Sequence, residues 1–311
     1  MGKVMSQKKI DLSVDLGFAT LKNPVIPASG TFGYGEEFLT FYDLDRIGAF
    51  ILKGVYIEPR PGNPPPRLYE TTAGLLNSIG LAGPGAQGLK ATIKRVAAAT
   101  KTPLIVNVCG GSDDEYQEVA EIFDDMEEVA MLELNISCPN VREGGSCPAQ
   151  DDRHTYRVVK RVKDNTSKPL IVKLTPNAAD ITSIAISAQE AGADAVSLVN
   201  TFLGMAVDLE KRAPVFKNKF AGLSGPAIKP LALKLVYDVA RAVSIPVIGI
   251  GGICSGRDVL EFMLVGAAAV QTGTINMVEP AASVRIVDEI ADAMEELGLT
   301  NLDQIKGALK V

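Results

Sequence analysis

The stretch Leu132-Glu133-Leu134-Asn135-Ile136-Ser137-Cys138-Pro139-Asn140 places reactive groups at the end of an apolar run. A thiol and two amides follow directly on strand-forming residues, and Pro139 stops ladder pairing just beyond the thiol. The segment Glu143-Gly144-Gly145-Ser146 comes next, with glycines that let it move. A nucleophile or base on a loop at a strand end is how α/β enzymes present a reacting group. The same residues also fit a buried structural cysteine, because unpaired Cys is among the most buried residue types.

Other apolar runs also end in polar chemistry. Ser29, Lys53, Asn107, Lys173 and Asn200 with Thr201 each sit at such an end. A buried lysine needs an anion: a core carboxylate would satisfy one, and two at equivalent positions favour an anionic ligand. Gly249-Ile250-Gly251-Gly252 and Gly273-Thr274 close the last two runs. Glycines there let a backbone approach a phosphate, and a helix starting near Ser255-Gly256-Arg257-Asp258 is expected to aim N–H groups at it. A lone glycine pair is also an ordinary tight turn. Sugar phosphates and flavin mononucleotide (FMN) both suit a phosphate site beside amides, which donate and accept. No paired carboxylates stand at the run ends. That argues against aldose–ketose isomerisation and leaves Cys138 as the obvious proton-transfer group.

The apolar runs are near-continuous, as parallel strands buried on both faces require. They cover 24–28, 49–54, 103–108, 132–136, 169–174, 195–200, 246–250 and 268–272. Helical patterns at 88–100, 115–128, 155–165, 181–191, 232–242, 256–265 and 281–296 alternate with the later strands. This predicts an α/β fold, a (β/α)8 TIM barrel, with catalytic groups at the strand C-termini. The segment 11–21 alternates and predicts an N-terminal β-hairpin turned at Gly17. Insertions follow some strand ends. The whole of 1–311 reads as a single domain. A doubly wound open sheet would carry a glycine fingerprint after its first strand, and Gly30-Thr31-Phe32-Gly33 does not fit one.

Composition narrows the partners. The 311 residues carry a net charge of −6 and are 47% hydrophobic, which speaks against a broad nucleic-acid or anionic-membrane surface. The cysteines at 109, 138, 147 and 254 form no CxxC pair, and His154 stands alone, so no metal site is expected. No apolar run approaches membrane-spanning length, and a cytoplasmic protein is expected.

Three motifs together are far more selective than any single glycine pattern. They are Asn77-Ser78-Ile79-Gly80-Leu81, Asn135-Ile136-Ser137-Cys138-Pro139-Asn140 and Gly222-Leu223-Ser224-Gly225-Pro226-Ala227-Ile228-Lys229-Pro230. With them the chain, from Pro24 to about Pro280, resembles the class 1 dihydroorotate dehydrogenases. These FMN enzymes oxidise dihydroorotate to orotate in pyrimidine biosynthesis. The resemblance implies that Cys138 is the base that takes the C5 proton while the C6 hydride passes to flavin N5. It implies substrate contacts from Lys53, Asn77, Ser78, Ile79, Gly80, Leu81, Asn135, Asn200 and Thr201. It implies FMN contacts from Ser29, Lys53, Gly54, Asn107, Asn135, Lys173, Val199, Gly225, Gly251, Gly252, Gly273 and Thr274, the last four around the phosphate. Lys173 beside the flavin would stabilise its reduced, negative form. Ser137 and Asn140 are expected to bond around Cys138, and the Gly144-Gly145 segment to close over substrate.

Within the family, Ile136 to Gly145 and the Gly-Leu-Ser-Gly-Pro stretch are similar to class 1B. Such a catalytic subunit pairs with an iron–sulfur/FAD subunit that passes electrons to NAD+. FAD and [2Fe–2S] are then expected only on the partner, with a homodimer core inside a heterotetramer. Family patterns place Phe-Gly-type residues after Gly145. This chain has Ser146-Cys147-Pro148 instead, and Cys147 is read as structural. Three other readings fit the same residues: a fumarate-linked class 1A enzyme, an FMN oxidoreductase acting on a related pyrimidine ring, and a non-redox phosphate-binding barrel. An uncharged ring would give Lys53 no carboxylate to hold.

Overall fold

A computed structural model describes residues 10–137 and 148–310. Cys138, Asn140, the Gly144-Gly145 segment and Cys147 lie outside the described residues, as do the expectations that rest on them.

Eight parallel strands form one sheet. They are β1 (Val25–Pro27), β2 (Phe50–Val55), β3 (Leu104–Val108), β4 (Met131–Asn135), β5 (Leu170–Lys173), β6 (Ala195–Leu198), β7 (Val247–Ile250) and β8 (Ala269–Thr272). Their spatial order is β1-β8-β7-β6-β5-β4-β3-β2, each strand beside its sequence neighbour. The two ends of the ladder meet where Gly48 N–H donates to the Val25 carbonyl at 3.0 Å, so the barrel is nearly closed. The outer layer holds α1 (Gly85–Ala99), α2 (Asp113–Asp124), α3 (Asp152–Lys163), α4 (Ile181–Glu190), α5 (Lys229–Ala242), α6 (Gly256–Leu264) and α7 (Ala282–Glu296). All seven expected helices form, each within a few residues of its predicted bounds.

The helices start where their sequences cap them. Ser112, Asp151, Asp180 and Ser255 each accept hydrogen bonds from first-turn N–H groups of α2, α3, α4 and α6. Each such cap stabilises by about 1 kcal/mol. Each helix turns its apolar stripe inward, as Leu89, Ile93 and Val96 of α1 do at zero exposure. The expected hairpin pairs Val14–Asp15 with Thr20–Leu21 and turns through Gly17 at φ 79°. Val14, Leu16 and Leu21 join the main core.

The insertions after β2 and β6 make a feature that the sequence did not foretell. Leu68–Thr71, Gly74–Asn77, Phe202–Met205 and Phe220–Ser224 build a four-stranded antiparallel sheet. Asn77 pairs with Gly222 across it. A side chain at Gly222 would place its Cβ 2.2 Å from Thr201 Oγ1, so glycine is what lets this sheet close against a strand end.

Candidate active site

Parallel strands send alternate side chains to opposite faces. On β4, Leu132 and Leu134 pack outward among the helices, which leaves Glu133 and Asn135 facing the barrel axis. Register then sets neighbours side by side: Asn107 beside Glu133, Asn135 beside Lys173, and Lys173 beside Ser197. The strand ends thus collect one polar cluster inside an apolar barrel.

Two adjoining clefts open at these ends. All the residues named above as FMN contacts line the first, from Ser29 on β1's loop to Gly273 and Thr274 after β8. The second is lined by Asn77, Ser78, Ile79, Gly80, Leu81, Asn135, Asn200 and Thr201, and it shares six of these with the first. Lys53 faces the first cleft. The sequence-chosen residues in the described part therefore converge on one continuous space. The first cleft takes in about 1080 Å³ of non-atom space, its open mouth and the adjoining solvent included.

The charge of the first cleft is one-sided. Among the described residues that line it there are two lysines and no carboxylate. Lys53 forms no ion pair among the described residues. Burial holds its pKa below the ordinary lysine value, and nearby Arg67 pushes the same way against an opposing pull from Glu37. A half-buried ammonium so placed favours an anion. Lys173 differs. Its Nζ lies 3.6 Å from Oε1 of Glu133, which has no exposed surface. It also reaches Gln271 Oε1 at 3.4 Å and Ser29 Oγ at 3.5 Å. For this lysine the core-carboxylate alternative is realised, and the residue also lines the cleft.

Glu133 was missed as a site residue because it lies within a run otherwise apolar. The signal was present, since a charged residue two positions before Asn135 must share its inward face. Its carboxylate accepts from Asn107 Nδ2 at 2.7 Å, Ser197 Oγ at 2.9 Å and Gln271 Nε2 at 2.5 Å. From Asn107 a row of bonds runs outward. Asn135 Nδ2 donates to Asn107 Oδ1 at 3.3 Å, Ser137 Oγ donates to Asn135 Oδ1 at 2.5 Å, and Asn200 Nδ2 donates to Ser137 Oγ at 2.5 Å. Thr201 N–H closes the row on Asn200 Oδ1 at 2.8 Å.

The far end of the first cleft is walled by glycine backbone. Gly251 and Gly252 after β7 have φ of 131° and 72°, and Gly225 has φ 102°. Thr274 Oγ1 donates to Ser224 Oγ at 2.8 Å across this end. One expectation is corrected here. The helix α6 does not aim N–H groups into the cleft. The N–H groups of Cys254 and Ser255 donate to Asp258 Oδ2 at 2.8 and 2.9 Å, and that of Gly256 donates to Glu289 Oε2 at 2.8 Å. Two carboxylates already occupy the helix start and would repel a phosphate. Asp258 also accepts from Lys229 Nζ at 2.5 Å. Burial works to raise the pKa of Asp258, but Lys229 and the N–H groups outweigh it and hold the value below the ordinary one. Gly252 lies directly on Lys229, so this ion pair braces the glycine loop from behind.

The single histidine is outside the clefts. His154 Nε2 lies 2.9 Å from Asp113 Oδ1 between α3 and α2. No helix among the described residues is long and apolar enough to cross a membrane.

A parallel barrel with a polar, lysine-bearing cleft and a glycine-walled end at its strand C-termini is the architecture of an α/β-barrel enzyme. The dihydroorotate dehydrogenase family model matches residues 11–294, and the chain belongs to that family. It is 51% identical over 304 residues to the dihydroorotate dehydrogenase B (NAD(+)) catalytic subunit of Geobacter metallireducens, spanning 98% of this chain and 100% of the relative. It is 47% identical over 301 residues to the protein of the same name from Bacteroides thetaiotaomicron, spanning 97% and 99%. The fold matches the crystal structure of the Eimeria tenella dihydroorotate dehydrogenase in complex with ferulenol, with a TM-score of 0.82 at 22% identity, covering 99% of this chain and 91% of that one.

Proposed function

We propose that the two clefts oxidise dihydroorotate to orotate, with this chain as the catalytic subunit of a class 1B, NAD-linked dihydroorotate dehydrogenase in pyrimidine biosynthesis. One observation carries the reading. The first cleft joins two ammonium groups, no lining carboxylate and a glycine-walled end, in a chain half identical over its length to catalytic subunits of that name. FMN suits this donor set. Backbone at Gly225, Gly251, Gly252, Gly273 and Thr274 would hold its phosphate, and the added Cβ of a residue at Gly273 would meet no atom within 4 Å, so that position faces open space. Ser29, Gly54, Asn107, Asn135, Lys173 and Val199 would hold its ring system. Bound FMN supplies the hydride acceptor.

The remaining work falls to this chain's own residues. Lys53 pairs with the substrate carboxylate, and its partial burial strengthens that pairing. Asn77, Asn135, Asn200 and Thr201 bind the ring amides, with Ser78, Ile79, Gly80 and Leu81 shaping the pocket around them. Lys173 keeps positive charge at the ring edge where negative charge develops. By family resemblance, Cys138 takes the C5 proton. A thiol of ordinary pKa ~8.5 needs partial ionisation or a proton acceptor for that role. FAD and an iron–sulfur centre belong to a partner subunit that relays electrons to NAD+, around a homodimeric core.

The test is an acceptor assay. The chain alone, loaded with FMN, should couple dihydroorotate oxidation to an artificial dye but not to NAD+. NAD+ reduction should appear only with the co-expressed partner subunit. Efficient fumarate reduction by the chain alone would overturn the class 1B assignment.

A further inference from the structure

Glu133 is buried at the barrel centre, and every group around its carboxylate is a donor: Asn107 Nδ2, Ser197 Oγ, Gln271 Nε2 and, at 3.6 Å, Lys173 Nζ. We infer that Glu133 is a positioning residue that fixes the hydrogen-bond polarity of the whole cleft, so that each amide presents one chosen edge to the ligands. The inference rests on the reading of the clefts as the FMN and dihydroorotate site.

A carboxylate accepts and does not donate. Asn107 must therefore turn its NH2 toward Glu133 and its carbonyl oxygen away, where it meets Asn135 Nδ2 and lines the cleft. Asn135, with its NH2 edge turned to Asn107, points its own oxygen to the Ser137 hydroxyl. Ser137, having donated, accepts from Asn200. At the far end the Thr201 backbone N–H can only donate, and it holds Asn200 Oδ1. The row is thus pinned by an acceptor-only group at one end and a donor-only group at the other, and no single amide can turn over without breaking a bond. Gln271 is fixed in the same way: its NH2 goes to Glu133 and its oxygen to Lys173 at 3.4 Å. The geometry reaches from the barrel floor to Ser137, the residue that precedes Cys138 in the sequence.

The strands supply this arrangement. Glu133, Ser197 and Gln271 come from the even-numbered strands β4, β6 and β8, and Asn107 and Lys173 from β3 and β5. Such alternation builds the side-chain layers of these barrels. Beside the inward-facing Ile105 and Ile171, the described residues of this barrel interior include a carboxylate with a full set of donors.

The experiment uses Glu133→Gln, which keeps the shape but can donate as well as accept. FMN affinity is measured on the apoprotein by flavin fluorescence, orotate affinity on the FMN-loaded protein by its perturbation of the flavin bands, and thermal unfolding alongside. The loss of one fixed polarity should weaken both ligands by roughly tenfold or more, the scale of a hydrogen bond to a charged group. The flavin reduction potential should rise, because Lys173 loses its counter-charge. A lower unfolding temperature with both affinities and the potential at wild-type values would make Glu133 merely structural and overturn the inference. If Glu133→Gln does not fold, the exchange Glu133→Gln/Gln271→Glu keeps one buried carboxylate while freeing Asn107. It should bind both ligands more weakly, and wild-type affinities in it would overturn the inference. Failure of the wild-type protein to bind FMN at all would instead overturn the flavin reading on which the inference stands.

Discussion

Replacing Gly252 by alanine tests whether the glycine loop after β7 is an anion cradle. Gly252 sits at φ 72°, a left-handed conformation, which costs a residue with a Cβ about 1–2 kcal/mol. The new Cβ would also fall 2.7 Å from Lys229 Cβ and 2.8 Å from Lys229 N. The second of these is backbone at the start of α5, so no side-chain rotation relieves it. Overpacking of this kind costs about 1–3 kcal/mol. Lys229 cannot withdraw freely, since its ammonium is tied to Asp258 and Glu261. The sum, about 2–5 kcal/mol, must appear somewhere. If the loop holds its shape, unfolding stability falls; if it yields, the cradle distorts and FMN affinity falls. Chemical unfolding of the apoprotein and FMN titration together capture both terms. Gly273→Ala is the counterpart. No atom lies within 4 Å of its added Cβ, so apoprotein stability should hold while the methyl group crowds the phosphate end. The reasoning is refuted if Gly252→Ala leaves both quantities within about 0.5 kcal/mol of wild type, a surface-substitution effect.

Four further outcomes follow, three from the same geometry and the one at Cys138 from the family resemblance. Lys53→Ala should weaken orotate binding more than FMN binding, and calorimetric titrations with each ligand would show it. In the wild-type protein, orotate affinity should fall as pH rises through the Lys53 pKa, which burial places below the usual lysine value of 10.5. Lys53→Arg should lose that alkaline limb; a limb unchanged in the variant would assign it to another group. Cys138→Ser should retain FMN but slow flavin reduction by dihydroorotate by about 10²–10⁴-fold, the range of general-base catalysis, in stopped-flow measurements; near-normal reduction would remove the base assignment. Asp258→Asn should lower thermal stability at neutral pH. The folded pKa of Asp258 lies below its ordinary 3.8, so its contribution is complete above that value and lost as pH falls through the folded pKa. The gap between wild type and variant should therefore close in acid, and a gap unchanged down to pH 2 would contradict the ion-pair brace.

Barrel strands and their polar ends were legible because buried parallel strands are long apolar runs, and a polar residue at the end of such a run stands out. Gly17 marked its hairpin for the same local reason. Long-range features were hidden. The antiparallel sheet pairs strands of four or five residues across insertions far apart in the chain, as Asn77 pairs with Gly222, and glycines at 74, 204 and 222 erase the alternation that would reveal it. Glu133 was hidden by its apolar neighbours, although strand alternation put it on the face of Asn135. The start of α6 was misread although the sequence carried the needed signal. Ser255-x-x-Asp258 is a capping box, formed here with both bonds, and such a box consumes the N–H groups that a phosphate would need.

The most direct test of the central claim is the visible spectrum of the purified, FMN-loaded protein under anaerobic conditions, before and after stoichiometric dihydroorotate. The account predicts flavin bands that bleach on addition and orotate released in equal amount. Bands that bind but stay unbleached would contradict dihydroorotate as the substrate, and a protein that takes up no FMN would contradict the reading of the cleft itself.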